Sequence, residues 1–156
     1  MTLYAAVKGE GILDFLRSRK EIRRDMFGAI KRRRIAKEEQ EAADWQAKNR
    51  ELVSLIQERK ITEAVDLAGQ MVDHVDRKYR KDAKEKATAH NNLGMALMLN
   101  RDYDLAEECF QSALAMRRRL FGDTHNEVAL ILLNLSRLYQ IQANEIMLEN
   151  RVETQA

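Results

Sequence analysis

The chain of 156 residues contains no proline and only six glycines. At ordinary usage of about 5%, proline alone would appear roughly eight times in this length. The two residues that most often punctuate regular structure are therefore almost missing. Aromatic residues are also scarce, at 6%. These shortages exclude a sandwich, a barrel or a proline-rich linker. The single cysteine, Cys109, rules out an internal disulfide and a cysteine-rich zinc site, and it fits a reducing compartment. No run approaches the 18 uninterrupted apolar residues of a membrane span, and the apolar stretch at the N-terminus is too short for a signal peptide. A cytoplasmic protein is expected.

What is abundant is Ala, Leu, Glu, Lys, Arg and Gln, all good helix formers. The expected fold class is all-α. Apolar residues make up 45% of the chain, enough for a core in about one domain's length. The net charge of +2 hides a polarity along the chain. Residues 1–37 carry 11 Lys/Arg against 4 Asp/Glu, and residues 38–156 carry 16 against 21. A basic arm, residues 1–42, precedes an acidic body, residues 43–156.

The body repeats itself. A shift of 42 residues places Asn92-Leu93 on Asn134-Leu135, Ala87 on Ala129, Ala106 on Ala64 and Tyr103 on Ile61. Three units follow from this register: 43–84, 85–126 and a partial 127–156. In the middle unit Leu93, Ala96, Leu97 and Leu99 recur at helical spacing before Asn100-Arg101-Asp102 interrupts them. Asp102 is the expected N-cap of a second helix through Tyr103, Ala106, Phe110, Ala113, Leu114 and Leu120. Gly122 is its expected C-terminal stop. Each unit reads as a helix hairpin.

His90-x-x-Leu93-Gly94-x-x-Leu97, followed by Ala106-x-x-x-Phe110-x-x-Ala113, resembles the tetratricopeptide repeat. Small residues at 94 and 106 suit a close helix crossing. Leu52 and Ala68 depart from the pattern in the first unit, as does Ser136 in the third. The 42-residue period and the segment from Met116 to Ala129, with its Gly-x-x-His loop, resemble the kinesin light chain-type subclass. Asn91-Asn92-Leu93 and Leu133-Asn134-Leu135 resemble its helix core. The resemblance implies a short right-handed superhelix of hairpins, with a groove lined by first helices that holds a protein segment.

On that resemblance Asn92 and Asn134 would grip the backbone of an extended ligand, since an amide both donates and accepts. The implied lining is Thr88, Asn91, Met95 and Leu99, then Leu130, Leu133 and Arg137. In the first unit it is Gln46, Asn49, Arg50 and Val53. The plainer alternative is that the asparagines bridge neighbouring helices. Much of this lining is apolar, so a partner or the C-terminal helix 143–153 is expected to cover it.

The arm carries an apolar stripe of Ile12, Phe15, Leu16, Ile22, Met26 and Ile30. Arg17, Arg19, Lys20, Arg23, Arg24, Lys31, Arg32, Arg33 and Arg34 flank it. A basic amphipathic helix can cap the first repeat, dock on an acidic protein, or hold nucleic acid or an anionic membrane. The arginines would suit an acidic cytoskeletal surface, a thought that leans on the resemblance. No aromatic residue interleaves the run Lys31–Arg34, which speaks against nucleic acid.

Nothing in the chain assembles a catalytic constellation. His74, His90 and His125 have no second histidine at i+3 or i+4, and there is no phosphate loop, His-Glu-x-x-His or Gly-x-Ser-x-Gly. No enzyme, no cofactor and no metal is expected. The expected role is an adaptor or scaffold, a structural subunit of a larger assembly. Nucleic-acid or membrane binding through the arm, and a small chaperone for a secreted protein, are the alternatives.

Overall fold

The computed structural model describes residues 3–153, with side chains described for 18–151. Five α-helices follow one another: α1 Leu3–Gln57, α2 Ile61–Lys78, α3 Lys84–Asn100, α4 Tyr103–Phe121 and α5 Asn126–Glu153. No strand occurs among the described residues. Two compact units divide between Ala47 and Lys48.

The first unit is the N-terminal part of α1. No helix breaker lies at residue 42, and α1 continues without interruption to Gln57. Gly28 sits inside it. Helical turns are tied by i,i+4 contacts, Arg34 to Glu38 at 2.9 Å and Gln40 to Asp44 at 2.8 Å. The stripe is not a covered face: Ile22 is 64% exposed, and Met26, Phe27 and Ile30 are similarly open. Ile12, Phe15, Leu16 and Arg17 lie outside the residues whose side chains are described.

The second unit opens on the last turns of α1. Past Gln57 the chain turns at Arg59, in the left-handed region with φ 62°. Arg59 N–H donates to Ile56 O, and Lys60 N–H to Leu55 O. This is the paired-bond stop usually built around glycine. Helix α3 ends the same way at Arg101, φ 72°, with Arg101 N–H to Met98 O and Asp102 N–H to Leu97 O. The two turns are 42 residues apart, as are the starts of α2 and α4 and those of α3 and α5. Asp102 occupies the N-cap position of α4, but its carboxylate does not cap; it accepts from Asn100 Nδ2 at 2.6 Å. Gly122 ends α4 as expected, with φ 84°.

The core is built from small residues and a few large ones. Ala64, Ala68, Ala87, Ala89, Ala96, Ala106 and Ala113 are fully buried, letting helices cross closely. Phe110, Leu52, Met71, Leu138, Val75 and Val128 fill what remains. Gly94 lies against the Phe110 ring: a Cβ there would stand 2.8 Å from Phe110 Cδ1 and Cε1, and 3.2 Å from the Ala106 carbonyl.

Among the described residues the third unit shows no second helix. Residues 143–153, one of the two candidates to cover the groove by folding back, continue α5 in one piece. No glycine or proline interrupts 126–153, and Ala143 stands where Arg101 turns the chain in the middle unit. Val152 lies outside the described side chains.

Helices α4 and α5 share two phenol contacts. Tyr103 donates its hydroxyl to Glu145 Oε1 at 2.7 Å, and Tyr139 donates to Glu107 Oε1 at 2.6 Å. Arg101 Nη2 also reaches Glu145, at 2.7 Å. Donation to a carboxylate favours the neutral phenol, so both hydroxyls titrate above their ordinary value of about 10. A raised folded-state value means that the contribution is full below pH 10 and is lost as pH climbs through the folded-state values. Following phenolate absorbance during alkaline titration, two of the four tyrosines are expected to ionise late, and Glu145→Gln should bring one of them back towards the ordinary value.

Candidate functional site

The candidate surface lies on the first helices of the second unit: the end of α1, α3 and α5. Two side-chain bonds tie these helices. Asn92 Nδ2 donates to Asn49 Oδ1, and Asn134 Nδ2 donates to Asn91 Oδ1, each at 2.8 Å and 43 residues apart in sequence. All four asparagines are half-buried. The register predicts Asn92 and Asn134 as equivalents; the added partners, Asn49 and Asn91, make an amide ladder across the three helices. Each bond uses one of the two N–H donors of Asn92 and Asn134.

Apolar side chains surround the ladder. Val53, Leu99, Leu130 and Leu133 are exposed, Leu133 by 65%. Arg50 and Arg137 are exposed beside them. Met95 is only half-open, because it packs against the core cluster of α3, α4 and α5. Gln46 belongs to the first unit and is exposed there. In the arm, Arg19, Lys20, Arg23, Arg24 and Lys31 to Arg34 are all exposed, and Arg23 stands 5.9 Å from the Phe27 ring.

Thr88 is employed elsewhere. Its hydroxyl donates to Lys84 O at 2.9 Å and accepts from Arg117 Nη2 at 2.7 Å. Arg117, at 7% exposure, is a buried cation. It also meets Glu127 Oε2 at 3.2 Å and lies 5.6 Å from the Phe121 ring. Phe121 stacks on His125 at 4.6 Å, and His125 Nδ1 accepts from the Glu127 N–H, closing the first turn of α5. Arg119 reaches back to Asp82 through two nitrogens, which holds the Asp82 carboxyl below its usual range. Thus the Arg117-Arg118-Arg119 run and the Gly-x-x-His loop form one structural junction. The signal was available: Phe110, Ala113, Leu114 and Arg117 share one helical face, which points the arginine inward.

His90 Nε2 lies 3.6 Å from Asp76 Oδ1, and the same carboxylate meets Lys86 Nζ at 3.0 Å. Cys109 is half-buried, and burial raises its thiol, with Glu108 adding to the effect. That is the opposite of the activation a nucleophilic cysteine needs. No cluster of three metal-ligating side chains is present among the described residues. No helix among them is long and apolar enough to cross a membrane.

No curated protein sequence matches the chain. Residues 85–145, spanning most of α3, all of α4 and much of α5, match the family model of the tetratricopeptide repeat, so this segment is similar to that family.

Proposed function

We propose that the chain is a non-catalytic protein-interaction module, an adaptor or scaffold of the kinesin light chain-like subclass working within a larger cytoplasmic assembly. Tetratricopeptide repeats generally mediate protein–protein contacts, and the similarity of residues 85–145 supports that broad role. The observation that carries the reading is the amide ladder Asn49–Asn92 and Asn91–Asn134, set among exposed Val53, Leu99, Leu130 and Leu133. An extended peptide needs backbone donors and acceptors at regular intervals, and the ladder retains both. Apolar neighbours supply burial for its side chains. The exposed arginines of the arm give a second, charge-based contact to an acidic protein partner.

The Asn92→Ala/Asn134→Ala variant tests this. Each lost hydrogen bond is worth about 1 kcal/mol, so the pair should weaken partner binding on the order of 30-fold. Crosslinking and pull-down from the native source, compared with the unsubstituted protein, reads the effect. Partner recovery at the original level, with the helical circular dichroism unchanged, would remove the groove from consideration.

A further inference from the structure

Helix α5 presents a face that its two counterparts do not leave open. In the middle unit α4 lies over Gly94, with Phe110 against it. The equivalent position of α5 is Ser136, and because α5 runs straight through Ala143, no second helix of its own unit follows to cover it among the described residues. A shallow apolar depression lies there, lined by Leu132, Leu135, Ser136, Tyr139, Gln140 and Ala143. Exposed Ile146 and Met147 extend it towards the C-terminus.

We propose that this face is a homodimer interface, with α5 of a second copy packed antiparallel about a two-fold axis level with residue 141. This does not depend on what the amide ladder binds. The argument is self-complementarity. Leu132, Ser136, Tyr139, Ala143 and Ile146 recur at spacings of 4, 3, 4 and 3, a single seam along the helix. Antiparallel pairing about residue 141 sets Tyr139 against Ala143 of the second copy, and Ser136 against its Ile146. Both of these layers combine one large and one small side chain, which lets two helices approach closely and fill the space between them. The Tyr139 hydroxyl is already satisfied by Glu107, leaving the ring for packing.

Charge agrees. The positions flanking the seam are Leu133, Gln140 and Met147 on one side, and Leu135 and Gln142 on the other. Gln140 meets its own copy near the axis, and so does Gln142, so no like charges oppose each other there. Glu145 is turned to Arg101 and Tyr103 of its own chain. A two-fold contact must use the same patch on both copies, and a neutral seam whose large and small residues exchange on reversal meets that condition. A helix pair about 22 Å long is at the small end of stable interfaces, so the expected dissociation constant is micromolar.

Sedimentation equilibrium of the full chain, over roughly two decades around that value, tests the proposal. A monomer–dimer equilibrium is expected. Ala143→Glu/Ile146→Glu, at exposed positions outside the core, should raise the dissociation constant at least about 30-fold with unchanged helicity. In a Cys109→Ser background, Gln140→Cys should form an intermolecular disulfide under mild oxidation, since antiparallel pairing about residue 141 brings the two sulfurs together. A monomer at every concentration, as a foreign helix or a following segment on this face would give, overturns the proposal. So does a dimer indifferent to the glutamates, or one in which Gln140→Cys fails to crosslink.

Discussion

Phe110→Ala is expected to cost about 3–5 kcal/mol, and Gly94→Leu about 3 kcal/mol, yet the two together should cost clearly less than their sum. The first empties the site of the largest fully buried side chain. The second forces a side chain into a place where even a Cβ would stand 2.8 Å from the ring. In the double variant the new leucine occupies space that the phenylalanine has left. The first unit already holds this exchange: Leu52 and Ala68 stand at the positions of Gly94 and Phe110, and both are buried. Urea unfolding of the four proteins reads the coupling, which for residues in direct contact should reach about 2–3 kcal/mol. A sum of the two single effects would mean that the site does not repack. Gly69→Ala is the contrasting control. Nothing lies within 4 Å of its would-be Cβ, so the helix-propensity gain of up to about 1 kcal/mol should make that variant more stable.

That pair also shows what could be read in advance. The 42-residue register finds positions 52 and 68 as equivalents of 94 and 110, but presents them as departures from the pattern. They are departures that compensate, and compensation lies in contact volume, which periodicity does not record. Conversely, the turns at Arg59 and Arg101 obey the register with residues that a turn reading overlooks. An arginine at φ 62° or 72° costs roughly 1 kcal/mol that glycine would not, so composition gives no hint of either stop. The length of α5 is a matter of what is missing. Ala143, a strong helix former, stands where the chain turns in the middle unit, and α5 runs through it.

The candidate surface was partly legible for a related reason. Asn92 and Asn134 stand out because they repeat at 42 residues. Their acceptors, Asn49 and Asn91, lie one residue off the register, 43 away, since a bond between adjacent helices runs obliquely. Thr88 joins them only as lining that the resemblance implies. The structure assigns its hydroxyl to Arg117 instead, a partner 29 residues away on the second helix.

Arg117 supports the second large prediction, in which removing the exposed partner should hurt more than removing the buried charge. Glu127 is 41% exposed at its side chain, whereas that of Arg117 is 9% exposed. Glu127→Gln leaves a buried guanidinium with neutral acceptors only, the Thr88 hydroxyl and the new amide oxygen, beside the Phe121 ring. The cost should be about 1–2 kcal/mol, below that of a fully buried broken pair because Glu127 already touches solvent. Arg117→Met keeps most of the apolar stem and takes away the desolvated charge. Glu127 can then hydrate, and Thr88 retains its bond to Lys84 O, so the expected cost is below about 1 kcal/mol. In the Arg117→Met background, Glu127→Gln should have almost no further effect, because the charge it compensated is gone. Urea unfolding checks the order, and the reverse order would mean that the pair stabilises by attraction alone. Because Thr88 lies on α3 and Glu127 on α5, the guanidinium links two first helices through the second helix between them. Amide hydrogen exchange in Glu127→Gln should therefore rise first in the opening turns of α5, where the lost partner stood, and leave α2 near its original protection.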